Sequence, residues 1–455
     1  MRPELLECFR GAQVIGIGEA SHGMHEDVLF KAELVLALVD AGLVDTLHLE
    51  ANHAGAAQIE AHVHGAGDDT RQAVRDAPIF RVLKTEAFVA CIEGLRTRAG
   101  RGIAVHIVGI DCQDSARDAD LALRRLAQRD AQAADEFRAQ LAPITGAEPS
   151  AMRHPDLLRS LLLKPMEECS AVVELLEQAC GADAEAAHTA RRPRRGVVAM
   201  RIEAKDARDE DYDMDSFSWR DRHLAENILA HGSRGVFWAH CHHVLGGSPR
   251  GALEGCEPTG SVLRRKLEWR YRTVLFEHGI ARISAVVPPL GEAPPDATQP
   301  AEVVVHDILP GSLAEAVRGG TGGSCWIDMG KLPQLWYEWR ETPRQVDWPG
   351  FAARRERVPE ELAALPFDAL GDVPVVMDNL PAARSLASPN GSWGIRSGIR
   401  VRSTAAARLV QLDEQAHASV AAIANHQNRA SGERDMAVPR HGRVGNRGSR
   451  GTRSR

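Results

Sequence analysis

The segment Val14-Ile-Gly-Ile-Gly-Glu-Ala-Ser-His-Gly-Met-His-Glu26 constrains the rest of the chain more than any other. A short apolar run ends in glycines and gives way to a carboxylate and an imidazole three residues apart. Such a run, followed by an amphipathic pattern from about residue 25, predicts a buried strand, a tight turn and a helix. Glu19 and His22 then fall at the carboxyl end of a strand, the edge at which open α/β sheets bind ligands.

Two other readings of this segment fail on chemistry. Gly16-x-Gly18-x-x-Ser21, with Glu50 closing the next apolar run, approaches a dinucleotide fingerprint. Ser21 replaces its third glycine, however, and Glu19, Glu26 and Asp27 bring negative charge to the helix start that a pyrophosphate would occupy. A serine-nucleophile elbow needs glycine where Glu19 stands, so Ser21 reads as a helix cap.

Further apolar runs alternate with helical patterns. Strands are expected at 46–50, 103–109, 235–239 and 271–276, with shorter ones at 282–287, 302–306 and 325–329 that make mixed pairing the expected end of the sheet. Helices are expected at 26–39, stopped by Gly42, and at 54–63, 85–99, 217–231 and 260–269. The resulting fold class is α/β, a mostly parallel central sheet flanked by helices. Residues 1–115 and 217–390 would form the catalytic domain. Residues 116–216 are charged and Ala/Leu-rich, with helical patterns such as Leu121 to Leu126 and Met166 to Cys180, and read as a helical insertion able to roof the sheet edge. In 391–455, twelve Arg oppose four acids, a balance of +8, within Ser-, Gly- and Asn-rich sequence, as expected of a mostly disordered tail.

A chain of 455 residues can bury a large core, and it carries no run of about eighteen apolar residues and no basic-then-apolar leader. Eight cysteines without paired spacing point to reduced thiols and a cytoplasmic location. A net charge of −7 predicts neither nucleic acid nor membrane as a partner, and a small-molecule substrate is the expected partner. Nothing in the sequence addresses the oligomeric state.

The strand ends bring Glu19, His22, Glu50, His240 and His243 to one edge, with Asp111 beside them. A carboxylate orients an imidazole and tunes its protonation near neutral pH, and a second imidazole can donate to a developing oxyanion, so the set suits activation of water. Gly18-Glu-Ala-Ser-His-Gly23, Glu50, Arg220-Asp-x-x-Leu-Ala-Glu-Asn227 and Trp238-Ala-His-Cys-His-His-Val244 together resemble the motifs of the erythromycin esterase family over roughly residues 10–385. The resemblance implies a hydrolase acting on an ester or macrolide lactone without metal or other cofactor. It implies that His22 is the general base, that Glu19 and Glu50 are its acidic companions, and that His240 and His243 are the second histidine pair. Lys31 and Arg220 match basic positions of the family and, with Asp111, are the expected substrate-binding residues. Cys241 departs from the pattern, standing where the family has asparagine.

Two other functions compete. The same imidazoles and carboxylates are first-row metal ligands, so a metal-dependent hydrolase or a metal- or haem-binding protein of related fold is the alternative. A binding module without turnover is the third.

Overall fold

The computed structural model describes residues 1–22, 24–111, 115–128, 130–145, 215–247, 250–251, 255–285, 302–310, 312–315, 325–329, 344–346, 348, 363–365, 371–377 and 410–411. Helices α1 (Pro3–Glu7), α2 (His25–Asp40), α3 (His53–Val63), α4 (Thr70–Asp76) and α5 (Glu86–Ala99) interleave with strands β1 (Val14–Glu19), β2 (Thr46–Asn52) and β3 (His106–Asp111). Then come α6 (Ser115–Ala127), α7 (Ala131–Thr145), α8 (Asp215–His231), β4 (Gly235–His240), α9 (Cys241–Val244), β5 (Arg250–Gly251), α10 (Thr259–Leu267) and β6 (Tyr271–His278). Short strands complete the described chain: β7 (Ala281–Ala285), β8 (Glu302–His306), β9 (Cys325–Trp326), β10 (Arg344–Val346), β11 (Ala363–Leu365), β12 (Val373–Met377) and β13 (Val410–Gln411).

The main sheet has the order β13-β9-β12-β6-β1-β4-β2-β3 and is parallel except where β9 meets β12. It is thus the mostly parallel, helix-flanked α/β sheet expected. Every residue of β1, β2, β4 and β12 is buried, as a sheet covered on both faces requires. β1 and β4 are neighbours, yet the chain leaves β1 toward β2 and leaves β4 toward β6, in opposite directions across the sheet. Right-handed crossovers therefore place the intervening helices on opposite faces and open a crevice at the carboxyl ends of these two strands.

Gly42 closes α2 in the left-handed region, φ +65°, and its neighbours complete a Schellman motif, with Leu43 N–H donating to Leu38 O and Gly42 N–H to Val39 O, both at 3.0 Å. Gly18 serves a close approach instead: a Cβ there would lie 2.7 Å from Cys241 Cα. Gly18→Ala is expected to lower stability by about 1–3 kcal/mol through overpacking. Urea unfolding would measure it, and an unchanged midpoint would mean that α9 can move aside.

Some elements differ from expectation. β3 begins at His106 and runs to Asp111, and β9 ends at Trp326. α1, α4 and the interior strand β12 were not legible in the sequence. In β12, Pro374 has no N–H to give a ladder, and the strand is tolerated because β9 pairs only with Val375 and Val376. The first part of the expected helical insertion is helical, as α6 and α7, and the rest, including 166–180, lies outside the described residues. The expected tail also lies outside them, apart from β13, which adds a parallel edge strand beside β9. Among the described residues Cys8, Cys91, Cys241, Cys256 and Cys325 are free thiols, and no helix is long and apolar enough to cross a membrane.

Candidate active site

Strand register begins the assembly of the site. Glu19, the last residue of β1, lies opposite His240, the last residue of β4. β2 flanks β4 on its other side, and its pairing with β3 slips between Leu49 and Asn52, so that two residues, Glu50 and Ala51, oppose Ile110. A bulge of this kind re-aims a side chain at the end of a strand. Glu50 Oε2 accepts from the backbone N–H of His240 at 3.0 Å.

One branch of the site runs through Glu19. Its Oε1 lies 2.8 Å from His22 Nδ1, and its Oε2 contacts the Lys31 ammonium, which also donates to Ala239 O at 2.9 Å and lies over the Trp238 ring. Burial pulls the Lys31 pKa well below its ordinary value, with Cys241 and Glu50 opposing this. As the Glu19 carboxylate can only accept, His22 Nδ1 carries the proton of this bond, which puts the lone pair of the neutral ring on Nε2. Burial lowers the His22 pKa, with Glu50 raising it and the His243 and Arg220 charges lowering it further. The Glu19 carboxylate by itself would move it upward; desolvation of the ring outweighs that pull.

The second branch is a charge network on β2, β3 and α8. Arg220 grips Asp111 with Nε at 3.0 Å and Nη2 at 2.5 Å, and Nη2 also donates to Glu50 Oε1 at 3.0 Å. His243 Nδ1 lies 2.7 Å from Asp221 Oδ1 and its Nε2 3.3 Å from Glu50 Oε1, while Phe217 stacks on the ring. Burial opposes charging of His243, but Asp221 and Glu50 raise its pKa to about 10. Asp221 and Glu50 thus favour the imidazolium, while Arg220 Nη1, 3.3 Å from His243 Nε2, opposes it. Burial would raise the Glu50 pKa, but His243 and Arg220 outweigh it and hold the carboxyl well below its usual range.

His240 sits between the branches, its ring 5.1 Å from that of His22. Its Nε2 donates to Ala20 O at 3.0 Å, and its Nδ1 accepts from His242 N–H at 3.3 Å, which defines a neutral tautomer. Burial, helped by the neighbouring histidines, drives its pKa well below normal. The turn after β1 is held by Asp27, whose Oδ2 accepts from Ala20 N–H at 3.1 Å while its Oδ1 lies 2.9 Å from His278 Nε2.

The structure thus brings Glu19, His22, Glu50, His240 and His243 to one crevice. Lys31 and Asp111, expected at the substrate, are instead fully buried behind Glu19 and Arg220. Asp221, Asp27 and Phe217 were missed. Asp221 lies within the Arg220-to-Asn227 motif, which was its available signal, whereas Asp27 reads in sequence only as first-turn charge. A metal fits this donor set poorly: both nitrogens of His240 are engaged, and Glu50 is already shared by a guanidinium and an imidazole. Cys241 is buried, and burial pushes its thiol pKa up, away from a reactive thiolate.

Fold and site together define an α/β protein with a buried acid–histidine centre at the switch point of a mostly parallel sheet. The chain belongs to the erythromycin esterase family, whose sequence profile matches residues 44–370. The match is narrower than the resemblance suggested and begins after the Gly18-to-Gly23 motif. Three solved structures share the fold. A Bacillus cereus protein has a TM-score of 0.68 at 15% identity, covering 84% of this chain and 92% of its own. A protein described as a succinoglycan biosynthesis protein has 0.67 at 14%, covering 84% and 91%. A histidine-to-asparagine mutant of erythromycin esterase EreC, in its open conformation, has 0.59 at 16%, covering 84% and 93%. No curated protein sequence matches the chain.

Proposed function

We propose that this protein hydrolyses an ester or lactone of a small organic molecule, with His22 as the base that activates water. The observation that carries the reading is the 2.8 Å contact between Glu19 Oε1 and His22 Nδ1, in a crevice where Arg220 and His243 supply positive charge. His22 Nε2 takes a proton from water as the oxygen attacks the carbonyl carbon, and Glu19 holds the ring in the required tautomer. The negative charge that develops on the carbonyl oxygen is stabilised from the Arg220 and His243 side. Collapse breaks the bond to the leaving oxygen, which receives the proton from His22, giving an acid and an alcohol. Glu50, which raises the His22 pKa, favours the imidazolium formed midway. Lys31 and Asp111 are positioning residues in this scheme, acting through Glu19 and Arg220.

A screen of esters and lactones tests the reading, with macrolides first because the family is named for that activity. On any substrate found, kcat/KM is expected to rise with pH through a midpoint below about 6.5, the ordinary histidine value, because the base must be neutral and burial lowers its pKa. It should fall again as pH rises through about 10, where His243 loses its proton. A rising limb centred well above neutrality would exclude His22 as the base.

A further inference from the structure

At the opposite end of β3 from Asp111, three side chains outside the crevice converge on the surface. Glu60 and His64 lie one turn apart at the end of α3, and His106 opens β3, the edge strand of the main sheet. One ligating atom from each lies within 4.8 Å of the other two, and His106 Nδ1 is 3.3 Å from Glu60 Oε1. Tetrahedral bonds of about 2.0–2.2 Å to nitrogen and oxygen put ligand atoms about 3.3 Å apart, so small rotations of these solvent-facing side chains would close the set.

A second observation concerns the histidine on the helix. His64 Nε2 donates to Val105 O at 3.0 Å, which leaves Nδ1 with its lone pair available. Histidines that bind metals characteristically donate their other ring N–H to a backbone carbonyl in this way, which sets both tautomer and ring direction. Val105 directly precedes His106, so the same short stretch orients one ligand and carries another. None of the three takes part in the acid–histidine network. His106 and Asp111 are separated by about 16 Å of extended strand.

We propose that Glu60, His64 and His106 form a binding site for a divalent cation of the zinc type, with a fourth position open to water. Two imidazoles and one carboxylate suit zinc and its first-row neighbours better than calcium or magnesium, which favour all-oxygen sets. The ion would staple the end of α3 to the exposed first residue of the edge strand β3, remote from the crevice.

The test uses tag-free, full-length protein stripped with a chelator and titrated with ZnCl2 against a chromophoric competitor, alongside His106→Ala and Glu60→Gln. The parent is expected to bind one equivalent and to gain thermal stability on adding zinc. Each variant should bind roughly tenfold or more weakly and lose that gain. Both substitutions fall on side chains that face solvent, so circular dichroism should stay at the parent's. His64→Ala would also remove the bond to Val105 and serves only as a third check. Parent-like zinc binding in both variants, or no stoichiometric binding by the parent, would overturn the proposal.

Discussion

His22→Ala is expected to lower kcat/KM by about 10²–10⁴, the usual range for loss of a general base, with Tm near the parent's. His22 stands on the turn after β1 rather than inside a strand or helix, so the fold should survive its loss, although its side chain is only 14% exposed and its removal leaves a void beside Glu19 that should lower Tm modestly. Glu19→Gln is a different case. An amide could still hold the His22 ring, but it would leave the fully buried Lys31 ammonium without its counter-charge. Stranding a buried charge typically costs about 3–5 kcal/mol, and because burial already draws Lys31 toward deprotonation this variant should lose up to that much stability as well as activity. Adding Lys31→Met should restore much of the stability and none of the rate. Thermal unfolding and steady-state kinetics on the four proteins separate the two roles. Parent-like turnover by His22→Ala, with unchanged circular dichroism, would sink the base assignment.

The second large effect concerns the guanidinium clamp. Asp111→Ala removes the bidentate partner of Arg220, leaves a buried cation held by Glu50 alone, and is expected to destabilise by about 3–5 kcal/mol, or roughly 10 °C in Tm. Activity should fall too, since Arg220 and His243 share Glu50. Arg220→Met should destabilise as well, since it leaves the buried Asp111 carboxylate without its bidentate partner, and it also removes the positive charge that the proposed mechanism sets beside the developing oxyanion. If Asp111 instead touched substrate and held nothing, Asp111→Ala would raise KM with Tm unchanged, and the positioning role would fail.

How much of this was legible from residue order can be judged strand by strand. β1 and β4 are nearly continuous apolar runs up to their last residue because both faces of the sheet are covered, whereas β2, with Thr46-Leu-His-Leu-Glu50, and β6 mix buried polar residues with apolar ones. Glu19 and His240, which end β1 and β4, and Glu50, two residues before the end of β2, sit where a parallel sheet must place them, at one common edge. Those facts sufficed for the fold class and for the membership of the crevice, since both follow from local pattern and the direction of the strands. Boundaries were less secure: β12 is five residues with a proline inside, and only the length of its neighbour β9 makes it acceptable.

What tertiary structure alone decided is which polar group faces which. Strand order set β4 between β1 and β2, and so put His240 beside Glu19. The bulge in β2 turned Glu50 to the backbone of His240. Helix α8, joining from 109 positions away, delivered Arg220 to Asp111. These pairings set the direction in which each imidazole is displaced: burial lowers the pKa of His22 and His240, while for His243, more buried than His22, Asp221 and Glu50 outweigh burial and raise it. Residue type sets only the ordinary pKa of an imidazole. Its displacement depends on distances of about 3 Å between groups far apart in the chain, which fall off too steeply to be inferred from spacing. The sequence by itself determined that acids and histidines would meet at one sheet edge; the packing of α8 and the bulge of β2 decided which carboxylate and which cation each histidine faces, because desolvation and neighbouring charge exist only once the chain has folded.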